Sequence, residues 1–403
     1  MAVPRAFDIV VAGGGIAGSC FAGVMARAGY GVLLVEREAH YRDRVRGEAT
    51  WPWGVAEARR CGLKEVYERA GAIEIVGVSR YADRTRVLDY RWEEDSIDRL
   101  PEMGFVHARM QQTAFDWAIE QGVTTLRPAK VESVQPGARP ISSIQLEGRT
   151  LEVESRLVVG ADGKHSGIRR FTGGETSTDP EQCRFGGVLL TGVDWQVNTN
   201  DFESFPGRTM VWLPISQTHT RLYLAMSREE LQRNGATQSL DALLSVASTG
   251  TPEGRLDGAR QAGPIAFFPT SDTWTSQISG ESVTLIGDAA GSVDPRQGHG
   301  TSLLMRDVRE LSEALIDTSD WQQAIGGYAE RRQRYFDTLH AYDQWELMLF
   351  CTPGASGDRL RDSHERAETA DPKLGGWNTL EARGPDGLAP DEAARRHFFG
   401  EDL

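Results

Sequence analysis

Phe7-Asp-Ile-Val-Val-Ala-Gly13-Gly14-Gly15-Ile16-Ala17-Gly18 reads as an apolar strand, a glycine turn and a helix start, and a second apolar run, Val32-Leu-Leu-Val35, then delivers Glu36 and Arg37. Each residue type has a physical cause. Gly13 permits a tight turn, Gly15 lets backbone approach a pyrophosphate, and Gly18 lets the helix meet the strand closely. The amides of Ile16 and Ala17 belong to a helix N-terminus, whose unpaired N–H groups and dipole favour phosphate. Glu36 falls where a carboxylate accepts hydrogen bonds from both hydroxyls of an adenosine ribose and repels a 2′-phosphate, with Arg37 beside it. Small residues at helical spacing (Gly18, Ala22, Ala26) and a stop at Gly29 complete a βαβ unit. The pattern implies a bound dinucleotide.

The chain has 403 residues, of which 39% are hydrophobic and 25% charged, enough for two domains with sizeable cores. A net charge of −14 without a basic stripe argues against nucleic-acid binding. Residues 9 to 26 carry no charge, but their glycines and the missing basic flank argue against a membrane span or a signal sequence. Cysteines 20, 61, 183 and 351 form no C-x-x-C pair, so neither a metal site nor a disulfide framework is expected, and a reducing cytoplasm is.

Periodicity divides the chain. Segments 1–71, 106–180 and 275–320 read as a discontinuous α/β nucleotide domain with a Rossmann-like sheet. Segments 72–105 and 181–274 alternate like an inserted antiparallel sheet, for example in Thr209-Met-Val-Trp-Leu-Pro-Ile. Residues 321–403 read as a long helix to about Phe350 followed by a polar tail, expected to be loosely ordered.

Two further segments narrow the ligand. Gly160-Ala-Asp162-Gly163-Lys-His-Ser166 is a strand end with an acid-glycine turn. Gly287-Asp288-Ala-Ala-Gly291-Ser-Val-Asp-Pro295-Arg-Gln-Gly298-His299-Gly300 is a second one, leading into a helix near Thr301. Together with the N-terminal glycines, in this order, they resemble the group A flavoprotein monooxygenases, the para-hydroxybenzoate hydroxylase-like family. The resemblance implies FAD as cofactor, with NADH or NADPH as a transient electron donor. Gly13, Gly15, Gly18 and Glu36 would hold its pyrophosphate and ribose, Asp288 after Gly287 its ribityl chain, and Asp162 with Gly163 would serve both FAD and NAD(P)H. Arg109 matches a flavin-contacting arginine, and Arg46 another, with Arg44 an equal candidate by spacing.

The segment from Pro295 through Gly298 and Gly300 to Thr301 leaves helix amides unpaired, a positive end suited to the anionic edge of a reduced flavin. His299 stands between the two glycines, open to two readings: a pocket donor or proton shuttle, and a helix-start histidine without chemistry. Trp51 and Trp53 are candidates for a substrate wall or for core. Trp212, Phe267, Phe268 and Pro269 are similarly divided, with alternation favouring core.

The implied reaction is oxygenation. NAD(P)H reduces FAD, O2 adds to give a C4a-hydroperoxyflavin, and a small organic substrate, aromatic or polyketide-like, takes one oxygen atom. A separate flavin reductase is an alternative electron source. Two competing activities share the cofactor: a flavin-dependent halogenase, whose W-x-W-x-I-P segment this chain lacks, and a reductase of the geranylgeranyl reductase type. A flavin-binding module without catalysis is a further alternative.

Overall fold

The structure, a computed structural model, describes residues 4–82, 84–194, 198–371, 374 and 380–402. Five parallel strands lie in the order Val283–Leu285, Leu157–Gly160, Ile9–Ala12, Val32–Val35 and Thr124–Leu126. Ile9–Ala12, Val32–Val35, Leu157–Gly160 and Val283–Leu285 are buried throughout, which is why these runs carry no alternating polarity. The order reverses beside Ile9–Ala12, which makes this the topological switch point, the place where open α/β sheets bind their ligands. Ala12 is level with Gly160, and Gly160 with Leu285. The loops after these three strands therefore start side by side.

Helices α1 (Ile16–Arg27), α2 (Pro52–Arg60), α3 (His107–Glu120), α4 (Gly300–Ile316), α5 (Trp321–Cys351) and α6 (Leu380–Arg383) pack around this frame. Absent side chains set the close approaches. A Cβ on Gly23 would lie 2.2 Å from the Trp117 ring, and one on Gly54 would lie 2.4 Å from the Ser302 backbone. These glycines let α1 meet α3, and α2 meet α4.

The second sheet joins strands far apart in sequence. Gly77–Ala82 and Thr85–Arg91 continue a sheet whose other members include Arg184–Thr191, Thr199–Phe205, Arg208–Pro214 and Thr220–Met226. Gly77–Ala82 runs parallel to Thr199–Phe205, which stitches the two sequence segments together. Alternation sorts one strand by face. Met210 and Trp212 pack outward with Leu231, Leu243 and Val246, whereas Val211 and Leu213 face Trp51, Trp53 and Tyr335.

The C-terminal region departs from expectation. Helices Gly354–Ala370 and Glu392–Phe398 follow α5, and Phe398 and Phe399 are buried against Trp345 and Leu349. His364 Nδ1 hydrogen bonds the Phe398 carbonyl at 2.7 Å. The polar composition misled because two adjacent phenylalanines anchor the segment; the helices need only one narrow apolar stripe each. Phe398→Ala is expected to cost about 3–5 kcal/mol of stability, measured by urea unfolding, whereas a loosely attached tail would leave the midpoint unchanged.

Candidate active site

Three loops converge at the sheet's carboxyl edge. A Cβ on Gly13 (φ +108°) would lie 2.4 Å from the Ala161 carbonyl oxygen, and one on Gly287 (φ +58°) 3.3 Å from Ala17 Cβ. No other residue type fits Gly13, where the backbone is left-handed and the neighbouring loop is already in contact. Gly18 is equally constrained, its Cβ position lying 1.9 Å from the Gly13 carbonyl oxygen. Gly15 differs. Its nearest neighbour is Gln111 Nε2 at 3.7 Å, so room remains above the turn for a ligand.

Helix α1 starts without a side-chain cap or an acid in its first turn, and its first helical bond is Ser19 N–H to Gly15 O. The amides of Ile16, Ala17 and Gly18 therefore have no helical acceptor and suit a phosphate. Glu36 is buried and fastens the turn, accepting from Gly14 N–H at 2.7 Å and from Glu38 N–H at 2.6 Å. Each oxygen keeps a lone pair for a ribose hydroxyl. Arg37 is exposed beside Glu38 and turned to solvent.

The Gly287–Asp288 turn is held from three sides. Asp307 accepts from Gly287 N–H at 2.7 Å, Arg169 donates to the carbonyls of Asp288 and Ala289, and Arg332 donates to the Gly291 carbonyl. All three side chains are buried, and Tyr335 donates to the other Asp307 oxygen. Only the backbone of Asp288 is used. Its half-buried carboxylate has no hydrogen-bond partner among the described residues and is free for a ligand. Asp162 is committed instead to its own loop, accepting from Ser166, Gly167 and Ile168. Gly163 (φ +85°) borders open space.

Helix α3 corrects one expectation. Its loop-facing side carries His107, Gln111 and Phe115, while Arg109 is exposed, donates to the Arg69 carbonyl and lies against Gly71. Two residues along a helix are about 200° apart, so Arg109 and Gln111 cannot share a face. Gln111 and His107 were missed because neither belongs to a charge or glycine pattern. His107 donates Nδ1–H to the Gly47 carbonyl at 2.7 Å, and burial lowers its pKa, so its Nε2 is an acceptor.

The choice between the two arginines is geometric. Arg44 pairs with Glu38 at 3.1 Å, whereas Arg46 lies over the Phe268 ring at 5.5 Å. A buried network positions this loop. Arg221 bonds both Glu48 oxygens at 2.7 Å and Asp43 at 2.9 Å, and Tyr223 donates to Glu48 at 2.6 Å. It ties the second sheet to the chain just before Trp51, and the separation in sequence hid it.

Trp51 donates its indole N–H to the Gln297 carbonyl at 2.8 Å, and Ser302 Oγ accepts from its backbone N–H at 2.9 Å. It thus clamps the turn that begins at Pro295 and contains Gly298 (φ +70°). Helix α4 has no side-chain cap and no acid in its first turn; its first bond is Leu303 N–H to His299 O. The amides of Gly300, Thr301 and Ser302 are left over, and Gly300 borders open space. The Thr301 hydroxyl is spent on the Ala49 carbonyl.

Neither ring nitrogen of His299 has a hydrogen-bond partner among the described residues. It is fully buried between Trp51, Trp53 and α6, and desolvation lowers its pKa to about 3. The ring stays neutral at every pH near 7. Trp212 and Phe267 are corrected as well, since both pack on the outer face of the second sheet, away from Trp51. Phe268 faces inward, and Pro269 is exposed at the strand end. Free glycine edges, uncapped helix starts and the unpaired Asp288 carboxylate fit a flavin dinucleotide.

The model of a family described as "FAD binding domain" matches residues 6–335. Among curated proteins, the chain is 26% identical over 362 residues to digeranylgeranylglycerophospholipid reductase 2 of Methanopyrus kandleri, covering 83% of this chain and 84% of that one. It is 24% identical over 378 residues to squalene monooxygenase SE1 of Panax ginseng, covering 89% and 68%. A solved structure, the myxobacterial chondrochloren halogenase CndH, superposes with a TM-score of 0.76 at 21% identity, covering 98% of each chain. No helix among the described residues is long and apolar enough to cross a membrane.

Two outcomes follow from the buried charges. Arg221→Met leaves Glu48 buried without its cation and should cost about 3–5 kcal/mol in chemical denaturation, against near zero for an incidental pair. Burial raises the Glu381 pKa to about 8, above the unfolded carboxyl value, so its contribution to stability is full at low pH and is lost as pH rises towards and through about 8. Glu381→Gln should flatten that alkaline decline in thermal melts across the same window.

Proposed function

We propose, from the premise that this chain belongs to the FAD binding domain family, that it is an FAD-dependent monooxygenase acting on a small organic substrate, aromatic or polyketide-like. Bound FAD supplies two-electron chemistry with NADH or NADPH as donor and O2 as acceptor. The residues described above do the rest. Gly13, Gly15 and the α1 amides would hold the pyrophosphate, Glu36 the ribose, and Asp288 the ribityl chain. The unpaired amides at Gly300 and Thr301 would supply fixed positive dipoles suited to the negative charge of a reduced flavin.

The observation that carries this reading is the uncapped start of α4, held open by the Trp51 clamp beside a wall formed by the second sheet. A catalytic acid or base is not required at that position. The neutral, buried His299 is consistent with electrostatic support from backbone rather than proton transfer.

A second reading has specific support in the similarity to an archaeal reductase over most of both chains. Oxygen separates the two. With purified protein, flavin absorbance near about 450 nm, NAD(P)H-dependent O2 consumption and an oxygenated product are expected. Product formed without O2 would establish the reductase reading, and product requiring added chloride a halogenase. Asp288→Ala should weaken flavin retention by about tenfold or more, read as flavin absorbance per protein after dialysis.

A further inference from the structure

Asp179, Asp272 and His340 meet at the end of a small three-stranded sheet, and nothing in the proposed reaction uses them. Strand Thr176–Thr178 pairs antiparallel with Thr273–Thr275, Thr178 opposite Thr273, and Gly291–Ser292 pairs with the other edge. The next position outward sets Asp179 across from Asp272, and Asp179 N–H donates to the Asp272 carbonyl at 3.0 Å. Two carboxyl residues thus leave adjacent strand ends side by side, an arrangement that like-charge repulsion disfavours. His340 comes from α5, with its ring stacked on Phe336 at 5.8 Å and tilted against Trp274 at 4.9 Å.

The side-chain atoms converge. His340 Nδ1 lies 2.7 Å from Asp272 Oδ2 and 3.7 Å from Asp179 Oδ2, and one ligand atom from each residue falls within 4.8 Å of the other two. Bonds of about 2.0–2.2 Å to zinc put two ligands of a tetrahedral ion about 3.4 Å apart, so the two measured separations bracket what a shared ion requires. Asp272 is fully buried, and its second oxygen, Oδ1, has no hydrogen-bond partner among the described residues. One imidazole therefore answers two carboxyl groups, with a buried acceptor left over. Lys164 does not supply the missing charge contact, because its ammonium donates to the Ser271 carbonyl at 2.6 Å. Gln344, one turn along α5 from His340, donates to Asp179 Oδ2 at 3.1 Å and orients it. Burial raises the Asp272 pKa to about 6, which still leaves a carboxylate at neutral pH. The side chains of His340 and Asp179 are 24% and 20% exposed, so the cluster is reached from solvent at one edge.

We propose that Asp179, Asp272 and His340 bind one divalent transition-metal ion. An imidazole nitrogen with two carboxylates suits Zn2+ or Mn2+ better than Mg2+, which keeps a shell of oxygen and water. To coordinate, His340 Nδ1 gives up its proton: the hydrogen bond to Asp272 is exchanged for bonds from both groups to the ion, and the proton moves to Nε2 or leaves to solvent. The stacked ring, the paired strand ends and the Gln344 contact already hold the ligands in place, so little ordering is required on binding. The ion would staple the strand ends at Asp179 and Asp272 to α5, in the same small sheet as Gly291–Ser292, a few residues after the Gly287–Asp288 turn. Its role is structural, and the site stands independently of the flavin chemistry.

The test titrates purified protein, stripped with EDTA and returned to neutral buffer, with Zn2+, Mn2+ and Mg2+ by calorimetry. A single Zn2+ per chain is expected, bound at least about tenfold more tightly than Mg2+ and raising the thermal midpoint. Asp272→Asn and His340→Gln should each weaken Zn2+ binding at least about tenfold and abolish that rise. Cys351→Ser should leave both unchanged, as should His397→Gln, which removes an exposed histidine 3.1 Å from Asp402. No Zn2+ binding by the unmodified protein, or Zn2+ held no more tightly than Mg2+, overturns the proposal before any variant is made. Binding that survives both ligand substitutions, or that disappears with Cys351→Ser or His397→Gln, assigns the ion to another place and overturns it too.

Discussion

Three neighbouring parallel strands that end level with one another impose the constraint on which the rest of this molecule depends. Ala12, Gly160 and Leu285 share one register, so the three loops beyond them must pass within van der Waals contact. Only glycine at 13, 18 and 287 lets them do so. Close packing here is a condition for binding, because the unpaired amides of α1 become a phosphate site only if no side chain covers them.

Loops cannot be held in place by a hydrophobic core, and this protein holds them with buried charge. Asp307, Arg169 and Arg332 secure the backbone around Asp288 while leaving its carboxylate free. The Arg221–Glu48–Asp43 network does the same for the segment leading to Trp51. Buried ion pairs contribute little net stability because desolvation offsets their attraction, but they are strongly directional. Positional accuracy, rather than stability, is what these networks supply.

The face of the second sheet that meets this frame is chosen by strand alternation. Trp212 and Phe267 fill the outer layer, while Val211, Leu213 and Phe268 face the cleft. The C-terminal segment closes the far side and brings Glu381 to His299. The glycine-turn end of the candidate site is thus built from backbone and glycine, and the opposite end from aromatic rings and carboxyl groups contributed by distant parts of the chain.

The first end was legible in the sequence, because a glycine turn, a strand and a helix are local, and Gly13, Gly18, Glu36 and Asp288 lie within a few residues of the elements that orient them. Helix periodicity was legible too, yet it did not show which side of α3 lies against the glycine loops: the family resemblance pointed to Arg109, and the structure puts His107 and Gln111 there instead. Phe398 and Phe399 stood at the end of a polar stretch whose composition concealed an anchor. Tertiary structure alone decided the pairings across great separations, Arg221 with Glu48, Trp51 with Gln297 and His299 beside Glu381. The physical reason is that local chemistry sets φ, ψ and periodicity over a turn or two, whereas a buried polar group's partner depends on which distant surface the packed core brings within 3 to 4 Å of it, as the 2.7 Å Arg221–Glu48 bonds and the 4.0 Å His299–Glu381 approach show.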